Sequence, residues 1–77
     1  MPDELLEKCG FNLLEVIKCP IPDVDPEAKQ LIYKRVQSDD VLIFDTQQNG
    51  IKLSANWCDP RDFEAIIAKA KELEMIF

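Results

Sequence analysis

The strongest constraint on this chain is a helix that needs a surface to rest on. Asp59-Pro60-Arg61-Asp62 has the chemistry of a helix start. Asp59 supplies an N-cap acceptor, Pro60 suits the first helical position because its missing N–H has no role there, and Asp62 lies near the positive helix end. Phe63, Ile66, Ile67, Ala70 and Leu73 then recur at helical spacing, with Glu64, Lys69, Lys71, Glu72 and Glu74 largely off that stripe. Such a stripe is stable only against a second apolar layer.

The residues just upstream provide one. Val41 to Phe44 and Ile51 to Trp57 flank Gln47-Gln48-Asn49-Gly50, and Asn-Gly suits the positive φ angles of a two-residue type I′ turn. That turn predicts Phe44 opposite Ala55 and Leu42 opposite Trp57. One face of the hairpin then carries Leu42, Phe44, Leu53, Ala55 and Trp57 and seats the helix. The other sets Val41 and Ile43 beside Lys52, Ser54 and Asn56, a mixed face that is not plainly solvent-facing.

Upstream again, Asp25-Pro26-Glu27 is a second helix-start signal, followed by Ala28, Leu31, Ile32 and Val36 with Lys34 and Arg35 late in the segment. It predicts a helix over residues 26–37, although the Ile, Tyr and Val content also suits a strand and no Gly ends it. Leu13 to Ile17 suits a strand or a short helix, stopped by Cys19-Pro20-Ile21-Pro22 because prolines lack amide donors. Asp3 to Cys9, ended by Gly10, reads as a short leading helix. The expected order is short helix, strand, helix, hairpin, helix. This is a small two-layer α+β domain: a hairpin-based antiparallel sheet of two or three strands, packed by the C-terminal helix, with one or two further helices. At 77 residues the expectation is a single domain over 1–77, with the Pro-rich stretch 20–26 a connection inside it. A chain this short buries a modest share of its surface, so a partner or a second copy could add burial.

Lys and Arg total 9 against 15 Asp and Glu, a formal net charge of −6. Phosphate would be repelled on average, and no basic run overrides that, so direct nucleic-acid binding is not expected. Residues 1–30 hold seven acidic and three basic side chains; a cationic partner would meet this part first. Met1 to Gly10 lacks the basic start and apolar core of a signal peptide, and no apolar run approaches the roughly 20 residues that cross a bilayer. Cys9, Cys19 and Cys58 are too few and odd in number for a disulfide framework. A cytoplasmic protein with no membrane partner is expected.

Little in the chain points to catalysis. Histidine is missing, Ser38 and Ser54 lie outside any nucleophile-elbow pattern, and two glycines cannot form a phosphate-cradling loop. No cysteine spacing fits zinc. Asp45 to Gly50 opens like an EF-hand loop but has Asn56 where the bidentate Glu belongs; Asp23-Val24-Asp25-Pro26-Glu27 lacks the required glycine. No catalytic residue, cofactor or metal is expected. Cys58 is the one candidate reactive thiol, since Trp57-Cys58-Asp59-Pro60 enters a helix start, where a dipole can lower a thiol pKa. The four residues resemble the Trp-Cys-x-Pro of thioredoxin-like proteins, but Arg61 stands at the second cysteine and the chain is too short for that sheet.

What remains is protein binding. The expected function is a non-enzymatic interaction module: a small acidic adaptor, inhibitor or subunit that occupies a partner's surface, with a basic nucleic-acid-binding groove as one target. The alternative is a small thiol-dependent redox protein or enzyme using Cys58. Candidate partner-binding residues are Asp23, Asp25 and Glu27 for a basic partner, and Val41, Ile43, Met75, Ile76 and Phe77 as spare apolar groups. Homodimerisation across Val41 and Ile43, or through the C-terminal end, is a third possibility. The competing expectation is that the N-terminal segment, from Leu5 to Ile17, covers Val41 and Ile43.

Overall fold

The computed structural model describes residues 2–35 and 37–75. Its elements are α1 (Pro2–Lys8), β1 (Phe11–Lys18), β2 (Lys29–Arg35), β3 (Asp40–Asp45), β4 (Gly50–Ser54) and α2 (Pro60–Glu72). The strands form one antiparallel meander in the order β1-β2-β3-β4. The two-layer α+β expectation is met, with four strands in place of two or three and two helices among the described residues.

The difference lies at residues 26–37, where the expected helix is strand β2, the second strand of the sheet. Asp25 does begin as a cap: its carboxylate accepts from Glu27 N at 3.2 Å. At Asp59 the same start is completed from the other side. The Asp59 carboxylate accepts from Arg61 N at 2.8 Å and Asp62 N at 3.3 Å, and the Asp62 carboxylate accepts from Asp59 N at 3.0 Å. The position equivalent to Asp62 is Ala28, which has no acceptor to return. Downstream the burial alternates with a period of two, Leu31 and Tyr33 inward and Gln30, Ile32 and Lys34 outward, as a strand paired on both sides requires.

The hairpin also differs from expectation. Phe44 pairs with Ile51 and Leu42 with Leu53, not with Ala55 and Trp57. Asp45 ends the strand early because its carboxylate accepts from Gln47 N and Gln48 N. Thr46 is also held, exchanging hydrogen bonds of 2.8 and 3.0 Å with Lys29. The turn is therefore the four residues 46–49, with only Asn49 at positive φ (54°) and Gly50 already in β4. The shift is by four residues, an even number, so Leu42, Phe44 and Leu53 keep their common face. Trp57 does not join them; it lies beyond the strand, 78% exposed.

One core fills the space between this face and the helices. Phe11, Leu31, Tyr33, Leu42 and Phe44 meet Leu6 of α1 and Ala65, Ile66 and Ala70 of α2, with Tyr33 edge-on to Phe44. The expected α2 stripe is rotated. Asp62, Ala65, Ile66, Lys69 and Ala70 are buried, whereas Phe63 and Ile67 stay about half exposed. The rotation turns α2 toward α1, whose Asp3 pairs with Lys69 at 3.0 Å. Helix α1 is closed by Gly10, whose φ of 91° and closeness to the Arg35 stem would strain any side chain there. Helix α2 closes through Glu74 N to Lys71 O and Met75 N to Ala70 O, a Schellman pair that folds Met75 back onto the core.

Candidate functional site

The covered face contains two ionic clusters. The larger centres on Arg35, whose guanidinium stacks 4.5 Å above the Phe11 ring. Its Nε and one terminal nitrogen bind Asp40; the other terminal nitrogen reaches Asp62 at 3.2 Å. The remaining donors go to Cys9 O and Trp57 O at 3.3 and 3.1 Å. All five N–H groups are used. Burial works against the Arg35 charge, but Asp40 and Asp62 raise its pKa further above the ordinary value. The Arg35 hydrogen bond holds the Asp40 carboxyl below the usual carboxylate range. Asp62 is also held low: burial opposes its charge, and the Asp59 N–H and Arg35 outweigh that.

Clefts of about 380 and 430 Å³ border this cluster, lined among others by Lys8, Cys9, Arg35, Trp57 and Asp62. Arg35 has no donor left for an anionic ligand there. Burial, followed by the Asp62 carboxylate, pushes the Cys9 thiol upward, away from a reactive thiolate. Cys58 is half-buried and reduced. The α2 start amides in its vicinity are taken by the Asp59 carboxylate, so the helix end is already occupied by an anion.

In the second cluster Lys69, with a side chain 6% exposed, binds Asp3 at 3.0 Å and Glu72 at 2.9 Å. Tyr33 donates to Asp3 at 2.9 Å. The Lys69 hydrogen bond lowers the Asp3 pKa. Burial, aided by Asp3, pushes the Tyr33 phenol up to about 12. Desolvation opposes the Lys69 charge, yet Glu72 and Asp3 raise its pKa overall. These groups pin α1 to α2 and to the sheet. Among the described residues, no group of three or more Cys, Asp or Glu side chains is arranged to hold a metal ion, and no helix is long and apolar enough to cross a membrane.

The candidate partner-binding residues fall in three separate places. Asp23, Asp25 and Glu27 share the β1–β2 connection, with Asp23 and Glu27 exposed, Asp23 at a φ of 67°, and Asp25 bound to Glu27 N. Val41 and Ile43 lie half-buried on the sheet face away from the helices. Met75 packs against the core on the opposite face. Ile76 and Phe77 lie outside the described residues.

The element expected at Leu13 to Ile17, a strand or a short helix, is strand β1, which is absent from the candidate partner-binding residues. It does not fold over Val41 and Ile43; it extends the sheet sideways as an edge strand. Only Phe11 of its eight residues is buried. Leu13, Leu14, Val16 and Ile17 are 38–66% exposed. The register shifts between Leu13 and Glu15, so Leu13 and Val16 share the helix side while Glu15 and Ile17 share the other. The signal in the sequence is the apolar run itself, whose alternation is broken at the register shift. No family model matches this sequence, and comparisons with curated proteins and with solved structures give no match.

Proposed function

We propose that this chain is a non-catalytic interaction module, a small acidic adaptor, inhibitor or subunit that works by occupying a protein partner's surface. The observation that carries this reading is β1. An eight-residue edge strand with four exposed apolar side chains offers backbone donors and acceptors to a partner strand and side chains to flanking pockets. It leads directly into residues 19–28, which carry Asp23, Asp25 and Glu27 and no basic side chain. The partner that fits is a protein with an open strand edge or apolar groove and basic residues at one end. A groove that otherwise holds nucleic-acid phosphates has that chemistry, and there the acidic connection acts as a competitor for the same cations.

The test is affinity capture from native lysate with the wild-type chain, Leu14→Lys/Val16→Lys and Asp23→Asn/Glu27→Gln, each at low and raised salt. A partner is expected that the β1 variant loses altogether and that raised salt or the acidic-loop variant weakens about tenfold. Retention of the same partners by the β1 variant would contradict the proposal.

A further inference from the structure

We infer that the sheet face opposite the helices is the interface of a two-fold homodimer, a property separate from the β1 edge. Among the described residues, neither helix lies on this face. Strand register arranges it in three rows. The first is Asn12, Lys34, Val41 and Ser54; the second is Glu15, Ile32, Ile43 and Lys52; the third is Ile17, Gln30, Asp45 and Gly50. Ile32, Val41 and Ile43 are half-buried, with Ile17 38% exposed.

Charge argues first for a second copy as the occupant. Each molecule carries −6, so two copies repel unless they meet where the charge is balanced. This face has Glu15 and Asp45 against Lys34 and Lys52, a net of zero, with its apolar groups in the middle of the sheet.

The row pattern then selects the symmetry. A two-fold axis lying between the sheets along the strands sets β1 over β4 and β2 over β3 of the other copy. Every row then meets its own equivalent. In the second row Glu15 faces Lys52 and Ile32 faces Ile43; in the third Gln30 faces Asp45 and Ile17 faces Gly50. Around Gly50 lies a depression of about 420 Å³, lined by Gln30, Ile43, Asp45 and Lys52 among others, and no atom lies within 4 Å of where a Gly50 side chain would project. A projecting Ile17 meets a hollow. The alternative in-plane axis, across the strands, would set Glu15 on Glu15 and Lys52 on Lys52 and is disfavoured by like charge.

Four strands at about 4.8 Å and six residues at about 3.3 Å give a face of about 19 by 20 Å. Pairing two such corrugated faces removes on the order of 1,000 Å² of accessible surface, the lower limit of specific interfaces, where weak and reversible association is expected. The sheets would stack about 10 Å apart with strands within about 30° of alignment.

The test is sedimentation equilibrium of the purified full chain, with Glu15→Lys, Lys52→Glu, the double reversal, Gly50→Val and Leu14→Lys. The wild type is expected to dimerise. Each single reversal turns two symmetric attractions into repulsions and should weaken the dimer about tenfold, with the double reversal restoring it. Gly50→Val should weaken the dimer by filling the hollow, and circular dichroism would verify that each variant folds. Leu14→Lys should leave it intact, so loss of partner capture and loss of dimer are separable. A wild-type chain that stays monomeric at about 1 mM, or a double reversal no better than the single ones, would overturn the inference.

Discussion

The two faces of this sheet come from the same strands and are used in opposite ways. On the covered face Leu42 and Phe44 are fully buried, and every charge brought inside has a partner. One residue along, Val41 and Ile43 occupy a face that carries no helix among the described residues and has charges of both signs at its margins. In β2 the same alternation puts Arg35 inside with two carboxylates and Lys34 outside beside the exposed Asp39, at 3.5 Å. The lesson is that burial and pairing, not residue type, decide what each side chain contributes. Neighbours in sequence can therefore be compared directly.

The largest contrast should come from β3. Phe44→Ala should cost about 3–5 kcal/mol through the cavity it leaves, and Ile43→Ala about 1 kcal/mol or less in a dilute sample, both read by urea unfolding. Where Phe44→Ala fails to fold, Phe44→Leu should still cost more than Ile43→Ala. Equal costs would remove the distinction between the faces. In β2, Arg35→Leu should cost about 3 kcal/mol or more, because it strands buried carboxylates, whereas Lys34→Leu should stay within about 0.5 kcal/mol.

Titration sharpens the comparison further, since among the described residues the shifted groups belong to the helix side. Asp3, Asp40 and Asp62 have folded pKa values below 3.8. Their contribution is present above the unfolded value and is lost as pH falls through the folded values, so unfolding should begin below about pH 4. At the alkaline end the Tyr33 phenol ionises near 10 when unfolded and near 12 when folded, and the Lys69 pKa is raised above 10.5. The Lys69 contribution is complete below its unfolded pKa and lost as pH rises through the folded one. The tyrosine acts in the same direction, so stability should fall between pH 10 and 12. Tyr33→Phe should flatten part of that fall; an unchanged alkaline limb would detach the tyrosine from it. The smallest effect belongs to the caps: Asp59→Ala should cost about 1 kcal/mol, and Asp25→Ala, which caps no helix, distinctly less.

Those caps also explain what could be read from the sequence. Helix α2 was legible because Asp59 and Asp62 answer each other within four residues, and α1 because Gly10 ends it. Strand β2 reads more like a helix than a strand because Asp25-Pro26 repeats half of the same motif, and the missing half is a side chain that Ala28 does not have. Hairpin parity was legible, but its register was not, since the turn is set by the Asp45 carboxylate and by Thr46 contacts with distant Lys29. The burial of Lys69 is not legible locally, because its partner, Asp3, is 66 residues away in sequence and adjacent only once α1 has docked. Val41 and Ile43 stand out in the sequence as surplus; that β1 would extend the sheet beyond β2 and not cover them depends on long-range pairing that local pattern does not encode.

The dimer face is tested most directly by following the methyl resonances of the full chain on dilution from about 1 mM to about 10 µM, which takes a dimer with a dissociation constant of about 100 µM from mostly paired to mostly monomeric. Signals of Ile17, Ile32, Val41 and Ile43 should shift together along one binding curve while those of Leu6, Leu31 and Leu42 hold still. Resonances that ignore concentration, or shifts confined to the helix-covered side, would contradict it.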